Sequence, residues 1–310
     1  MKRRRLGRGL GDLAVFPLQA GGAASSAAGR RDLRPADPAS FAARHTAPLT
    51  DPAPTIVCVT SGKGGTGKSV VTSNLAVHLA ATGVRVMAVD ADMGLANLHL
   101  LFGLSPSRTI YSVIEGGAPL EEIAEFGPVG VRVAAGASGR PDMADLHPSR
   151  LRRLLAAIEG LSDRTRVVLI DTGAGIGRAT TSFLYAVNQI IVVTTPDLTA
   201  MTDAYAVIKN VAHNNAAARM LVVVNRAHDA FEGLEVFTRL DKVCQKYLGR
   251  PLVYLGHVME DARVPASVAA RIPILLNQPA SPAAACLRGI GRSLLLEIRL
   301  RQPTAAPGEP

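Results

Sequence analysis

The stretch TIVCVTSGKGGTGKS occupies residues 55–69. Its first six residues are apolar and β-branched, which predicts a buried strand over 55–60. Residues 62–69 then fit the pattern G-x-x-x-x-G-K-S, and a helical pattern follows them. This order of strand, glycine-rich loop and helix predicts a phosphate-binding loop at the carboxyl end of a parallel strand.

The loop contains residue types that suit a triphosphate. Its four glycines are expected to take positive φ, so that backbone N–H groups point at phosphate oxygens. The following helix adds the positive end of its dipole. Lys68 is expected to contact the β- and γ-phosphates, and the Ser69 hydroxyl to bind magnesium. The predicted nucleotide-binding residues are Gly62, Lys63, Gly64, Gly65, Thr66, Gly67, Lys68 and Ser69.

A flexible glycine loop with a stray lysine is the alternative interpretation of this stretch. The chain has only six lysines and uses arginine for nearly all its other positive charge, yet two of the six lie in this loop. A compact ammonium group is therefore favoured at both places.

Length and composition favour one large α/β domain with tails. The chain has 310 residues, of which 48% are hydrophobic. We expect a disordered basic tail over 1–50, the domain over 51–300 and a short disordered tail over 301–310. The three cysteines form no CxxC pair, which fits a reducing compartment, and Cys58 is expected in the core.

The positive charge is concentrated at the start of the chain. Residues 1–50 hold nine basic and three acidic side chains, a net charge of +6, whereas the other 260 residues carry +3. Such a segment could meet nucleic acid, an acidic protein or anionic lipid, or could be a solvated leader. No apolar run is long enough to span a bilayer. The expected location is the cytoplasm, with peripheral contact at the inner membrane as the alternative.

From residue 54 onward, strand and helix patterns alternate. This alternation predicts a doubly wound, mostly parallel sheet with helices on both faces. The predicted strands cover 55–60, 84–90, 130–134, 166–171, 189–195, 220–225 and 252–255. The predicted helices cover 68–81, 97–101, 149–159, 179–186, 200–210, 233–248, 262–270 and 283–300.

Two further apolar strands end in aspartate. The second predicted strand leads into Asp90 and Asp92, and the fourth ends at Asp171. Asp171 is expected to hold Mg²⁺ directly or through water, and Asp92 to orient or deprotonate the attacking water. Asp90 is a candidate for the outer coordination shell of the magnesium. The alternative for each aspartate is a helix cap or turn former at a strand end.

The base is predicted from the strand that ends near residue 225. Many GTPases read guanine with N-K-x-D, but residues 225–229 read NRAHD and lack the lysine. This difference favours adenine, and hence ATP. Asn225 is a candidate base contact, with a plain turn residue as the alternative.

The extra lysine at position 63 makes the loop K-G-G-T-G-K-S, which resembles the deviant Walker A motif of the MinD/ParA family. Residues 90–97 (DADMGLAN) resemble its switch I, and residues 171–176 (DTGAGI) its switch II. Residues 195–197 (TPD), with TDAY at 202–205 and IK at 208–209, resemble the FlhG/FleN branch, which controls flagellar number and placement.

This resemblance implies a dimerising ATPase switch. ATP promotes a face-to-face dimer, Lys63 of one subunit touches phosphates bound by the other, and slow hydrolysis separates the pair. The implied catalytic residues are Lys63, Lys68 and Asp92, and the implied magnesium ligands are Ser69, Asp92 and Asp171. The expected partners are a second copy and a flagellar GTPase or transcription regulator.

The two ends of the sequence do not settle which partner the protein binds. The D-Q-A-x-x-L-R motif common in that branch is not found, whereas residues 5–11 (RLGRGLG) resemble the start of ParB-type partners. A partition ATPase that binds DNA without sequence preference, or a nucleotide-binding regulator without significant turnover, are the alternatives. Near the other end, Leu287, Ile290, Leu294 and Ile298 form one helical stripe. That stripe predicts a helix packed on the domain, with a membrane-binding helix as the alternative.

Overall fold

The computed structural model describes residues 54–137, 147–161 and 165–299. Eight strands form one sheet in the order β3-β4-β2-β5-β1-β6-β7-β8. They are β1 (Thr55–Thr60), β2 (Val86–Ala91), β3 (Glu125–Phe126), β4 (Arg132–Ala134), β5 (Val167–Thr172), β6 (Gln189–Thr194), β7 (Arg219–Ala227) and β8 (Val253–Met259).

The helices that connect the strands cover both faces of the sheet. They are α1 (Lys68–Ala81), α2 (Ile110–Gly116), α3 (Leu120–Ile123), α4 (Pro148–Glu159), α5 (Arg178–Ala186), α6 (Leu198–Asn214), α7 (Ala230–Leu248), α8 (Arg263–Ala269), α9 (Ile274–Asn277) and α10 (Pro282–Arg299). Two 3-10 turns, Leu98–Phe102 and Pro128–Gly130, complete the described elements.

All strand pairs are parallel except β3 with β4. Successive side chains of a strand point to opposite faces, so each strand contributes side chains to the hydrophobic cores on both faces of the sheet. In β1, Cys58 belongs to the core on one face and Val57 and Val59 to the core on the other. Cys58 is fully buried, as predicted, and burial raises the pKa of its thiol. The predicted doubly wound sheet is confirmed.

The apolar stripe of α10 packs on the domain. Leu287, Ile290, Leu294 and Ile298 are all nearly fully buried, and the helix lies against β8 and α1. The packed interpretation is therefore confirmed. Within the described part of the chain, no helix is both long and apolar enough to cross a bilayer.

Several elements differ from the sequence prediction. The prediction lacks α2, α3, α9 and the two-residue strand β3, and the helix expected over 97–101 is the 3-10 turn Leu98–Phe102. The predicted α1 has the observed bounds, whereas β8 runs four residues beyond its predicted end. The tails predicted over 1–50 and 301–310 lie outside the described residues.

Candidate nucleotide-binding site

The phosphate loop, residues 62–69, follows β1 and leads into α1. Only two of its four glycines have positive φ, namely Gly65 at 79° and Gly67 at 87°. The expectation of positive φ at Gly62 and Gly64 is wrong. Gly62 is needed for another reason, because a Cβ there would overlap the backbone of Asp203 in α6. The first glycine thus lets the loop rest directly on a neighbouring helix.

The start of α1 is open toward the loop. Gly67 occupies the N-cap position without a side-chain cap, and the first turn holds no acidic residue. Thr66 Oγ1 is buried, and among the described residues no hydrogen-bond partner reaches it. Uncapped N–H groups at a helix N-terminus favour an anion. The loop therefore fits a phosphate group on the evidence of its own geometry.

Lys68 and Asp171 form a buried ion pair beside this helix start. Lys68 Nζ lies 2.9 Å from Asp171 Oδ1, and the two side chains are 9% and 2% exposed. Thr72 Oγ1 donates a second hydrogen bond to the same oxygen at 3.1 Å. A buried ammonium needs a negative partner. Lys68 has this partner in Asp171.

Oxygen ligands suitable for magnesium meet at the same point. Lys68 Nζ lies 3.4 Å from Ser69 Oγ and also contacts Asp171, so the hydroxyl and the carboxylate flank one ammonium group. Mg²⁺ takes one or two protein oxygens and completes its shell with water and phosphate. The donor set fits this ion. This is a site of one hydroxyl and one carboxylate. A different kind of metal site, built from three or more His, Cys, Asp or Glu side chains, is not found within the described ranges.

Asp92 lies at the edge of the site. Its Oδ1 accepts the N–H groups of Gly94 and Leu95, both at 3.1 Å. A Cβ built on Gly173 would lie 3.6 Å from this oxygen, so Asp92 is next to the segment that follows β5. The carboxylate currently caps its own loop. Its proposed roles as a magnesium ligand and as an orienter of water remain predictions.

Asp90 fixes both ends of the same loop. Its side chain is fully buried, with Oδ1 accepting the N–H of Asp92 at 3.1 Å and Oδ2 that of Leu98 at 2.8 Å. Burial and the nearby Asp171 carboxylate raise the pKa of Asp90. The sequence prediction placed Asp90 in the outer shell of the magnesium and did not foresee this bracing of the loop.

Asn225 holds the phosphate loop in place. Its Nδ2 donates to the carbonyl of Thr66 at 2.7 Å, and the residue is 9% exposed. A Cβ on Gly67 would overlap this amide nitrogen, so the contact also explains why position 67 lacks a side chain. Sequence reasoning placed Asn225 near the nucleotide but missed this contact. The proposed base contact stays a prediction.

The segment after β5 lies over the phosphate loop. Gly175, with φ at 79°, donates its N–H to the carbonyl of Ser61 at 2.8 Å, and Thr172 Oγ1 donates to the carbonyl of Val59 at 3.1 Å. These bonds hold the segment after β5 against the end of β1, where the phosphate loop begins.

Lys63 is separate from the other site residues. Its side chain is exposed, and its Nζ donates to Thr199 Oγ1 at the start of α6, at 3.2 Å. The phosphate loop thus presents one lysine inward, Lys68, and one outward. The side chains of four predicted residues come together around the loop: Lys68, Ser69, Asp171 and Asn225. The side chain of Lys63, although it belongs to the loop, points away from them.

Comparisons with known proteins agree with this site. A family model described as the CobQ/CobB/MinD/ParA nucleotide binding domain matches residues 57–274. The chain is 38% identical over 239 residues to the antiactivator FleN of Pseudomonas aeruginosa, covering 77% of this chain and 85% of FleN. It is 37% identical over 204 residues to the flagellum site-determining protein YlxH of Helicobacter pylori, covering 65% of this chain and 68% of YlxH.

A solved structure supports the same grouping. The septum site-determining protein MinD of Pyrococcus horikoshii, complexed with Mg-ADP, superposes with a TM-score of 0.67 at 26% identity, covering 80% of this chain and 99% of MinD. The family match covers more than half of the chain. The chain therefore belongs to the MinD/ParA family of P-loop ATPases, and the flagellar proteins FleN and YlxH are among its relatives.

Proposed function

We propose that this protein is an ATP-dependent dimerising switch that binds and slowly hydrolyses ATP to regulate the number or positioning of flagella. The observation that carries the proposal is the buried Lys68–Asp171 pair beside Ser69 at the open start of α1. The flagellar role rests on the similarity to FleN and YlxH, whose names describe an antiactivator and a flagellum site-determining protein.

Each residue of the site has a task in this proposal. The N–H groups of the phosphate loop bind the phosphate oxygens, and Lys68 exchanges Asp171 for the β- and γ-phosphates. Ser69 and Asp171 would hold Mg²⁺, which neutralises charge that develops on the phosphates. Asp92 releases the N–H groups of its own loop and orients the attacking water.

Lys63 acts across the dimer. It is exposed, and within the described part of the chain its ammonium group binds a threonine hydroxyl, so a small loss of interaction frees it to reach phosphates in the partner subunit. There it supplies positive charge to the transition state, as an arginine finger does in other phosphoryl-transfer enzymes. Because Lys63 points outward, the site of a single subunit lacks this ammonium group.

The surface around the site supports face-to-face pairing. The described residues expose nine large apolar side chains, and five of them follow the carboxyl end of a parallel strand within seven residues. Clustered exposed apolar groups mark interaction surfaces. These five are Leu95, Ile176, Leu198, Phe231 and Leu234.

Light scattering with and without nucleotide tests this function. Wild type with Mg·ATP is expected to form a dimer that decays as ATP is consumed. Asp92→Ala should bind ATP and remain dimeric, because the water is no longer oriented. Lys63→Ala should bind ATP but stay monomeric, because its cross-subunit contact is lost. A wild-type protein that stays monomeric in Mg·ATP, or normal turnover by Lys63→Ala, would contradict the proposal.

The partner and the location are further parts of this proposal. We propose a cytoplasmic protein whose ATP dimer is read by a transcription regulator or a flagellar GTPase. Non-specific DNA binding is the alternative and predicts a steep loss of affinity with added salt. Capture from cell extract with the ATP-trapped Asp92→Ala variant, compared with wild type in Mg·ADP, distinguishes these partners. Peripheral contact with the inner membrane is not favoured, because the apolar stripe of α10 is buried.

A further inference from the structure

The switch loop, residues 92–97, is held at both ends by one buried carboxylate. Asp90 accepts the N–H of Asp92 at the start of the loop and that of Leu98 just after its end. Between these two points the loop exposes Leu95, which is 75% exposed, but buries Ala96 completely. The buried methyl group of Ala96 therefore marks where the middle of the loop meets the body of the protein.

Ala96 packs against Gly136, just beyond the end of β4. A Cβ built on Gly136 would overlap the Ala96 Cβ, and it would lie 2.9 Å from the Asp90 carbonyl oxygen and 3.1 Å from Asp90 Cγ. Gly136 does not have positive φ, so its backbone would accept any residue. Glycine is therefore needed at position 136 because a side chain has no room there, and not because of its backbone conformation.

We propose that Gly136 is a positioning residue that sets the placement of the switch loop, and so of Asp92, for hydrolysis. The inference rests on the proposed role of Asp92 in ATP turnover. The three atoms that a Cβ on Gly136 would approach most closely all belong to Ala96 and Asp90, whereas the supports of the phosphate loop come from α6, β7 and Asp171. Gly136 contacts both the switch loop and the residue that braces it.

A methyl group at position 136 would displace the loop. The added Cβ is far inside van der Waals distance of Ala96 Cβ, so relief requires a shift of about 1 Å. Ala96 Cβ is attached directly to the backbone and cannot rotate away, so the backbone of the loop must move. Because Asp90 links this point to the N–H of Asp92, the shift reaches the catalytic carboxylate. A displacement of this size can lower a rate by about 100-fold.

Three full-length variants separate positioning from general damage. Gly136→Ala adds the methyl group, and Gly136→Ala with Ala96→Gly removes the atom that it meets. Gly116→Ala is the matched control, since a Cβ there meets nothing within 4 Å and Gly116 has no positive φ. For each variant we would measure kcat and KM for Mg·ATP, ADP affinity, the melting temperature, and hydrogen exchange of residues 92–98 without nucleotide.

Gly136→Ala is expected to lower kcat by about 10- to 100-fold while KM and ADP affinity stay close to wild type. Hydrogen exchange over residues 92–98 should quicken in the nucleotide-free protein, whereas exchange in β6 and β7 stays unchanged. The double variant should recover a large part of kcat, and Gly116→Ala should match wild type. A purely structural role would instead lower the melting temperature and affect all readouts together.

The outcomes separate this inference from the proposed function. If wild type hydrolyses ATP and Gly136→Ala matches it in kcat and in exchange, Gly136 has no positioning role. A double variant no better than Gly136→Ala also overturns the inference, because the contact with Ala96 would then be irrelevant. If wild type itself hydrolyses no ATP, the proposed function fails, and the inference fails with it.

Discussion

The phosphate loop and the switch loop lie side by side but are held in different ways. The phosphate loop rests on the backbone of α6 through Gly62, is tied to β7 through Asn225, and is flanked by the Lys68–Asp171 pair. The switch loop is held by hydrogen bonds to the carboxylates of Asp90 and Asp92, and by burial of Met93 and Ala96. The first loop has backbone and ionic supports from three separate elements, whereas the carboxylates that bind the second loop, Asp90 and Asp92, lie at its own start in the sequence.

This difference matches two tasks within one site. A binding loop must keep its N–H groups in place before the nucleotide arrives, because preorganised donors cost no rearrangement on binding. A responding loop must have a second arrangement within reach, since a switch requires two states of similar free energy. We therefore expect substitutions at the phosphate loop to change affinity, and substitutions at the switch loop to change turnover.

Gly62→Ala should break the firmer of the two loops and have the largest effect. The new Cβ would overlap the backbone of Asp203, and no flexible side chain is available to yield. We expect the loop to shift and the affinity for Mg·ATP to fall by about 100-fold, measured by calorimetry. Gly116→Ala serves as the control with room for its methyl group. Near-normal affinity in Gly62→Ala would show that the contact with α6 does not fix the loop.

Asn225→Asp tests the tie between β7 and the loop with almost no change in shape. A carboxylate cannot donate to the Thr66 carbonyl, so two oxygens would face each other across a buried contact of 2.7 Å. Losing a buried hydrogen bond costs about 1–3 kcal/mol, which predicts a fall in Mg·ATP affinity of about 10-fold or more. Equilibrium binding of a fluorescent ATP analogue measures it. Unchanged affinity would mean that Asn225 is not a support of the loop.

Gly291→Ala should have the smallest effect on the site, because its contact is with His78, about 15 Å along α1 from the phosphate loop. A Cβ at Gly291 in α10 would overlap the ring of His78 in α1, whereas a Cβ at Gly289 meets nothing within 4 Å. We expect Gly291→Ala to lower the free energy of unfolding by about 1–3 kcal/mol and Gly289→Ala to raise it slightly. Denaturant unfolding measures both. If Gly291→Ala also weakened nucleotide binding, the supports of the phosphate loop would extend beyond its local contacts.

Local patterns were enough to predict the strand–loop–helix unit and the aspartates at the strand ends. The bounds of α1 follow from residues close together in sequence, and the apolar strand that ends at Asp171 predicts a carboxylate at the same sheet edge as the loop. The short helix α2 was missed because its seven residues provide only two turns of a periodic pattern. Strand β3 was missed because two residues show no alternation.

Contacts between distant segments could not be predicted from one sequence. Asn225 and Thr66 are separated by 159 positions, so the sequence around either residue does not predict their hydrogen bond. Glycines also look alike in a sequence, although Gly62 and Gly136 have no room for a Cβ and Gly64 has open space. Whether a position requires glycine depends on which element packs against it, and only the folded structure shows that.

Calorimetric titration of the folded wild-type protein with Mg·ATP tests the central claim most directly. The account predicts a saturable heat of binding in wild type and none in Lys68→Ala, whose circular dichroism should match that of wild type. The absence of binding heat from well-folded wild-type protein would contradict the account, and so would equal ATP affinity in Lys68→Ala.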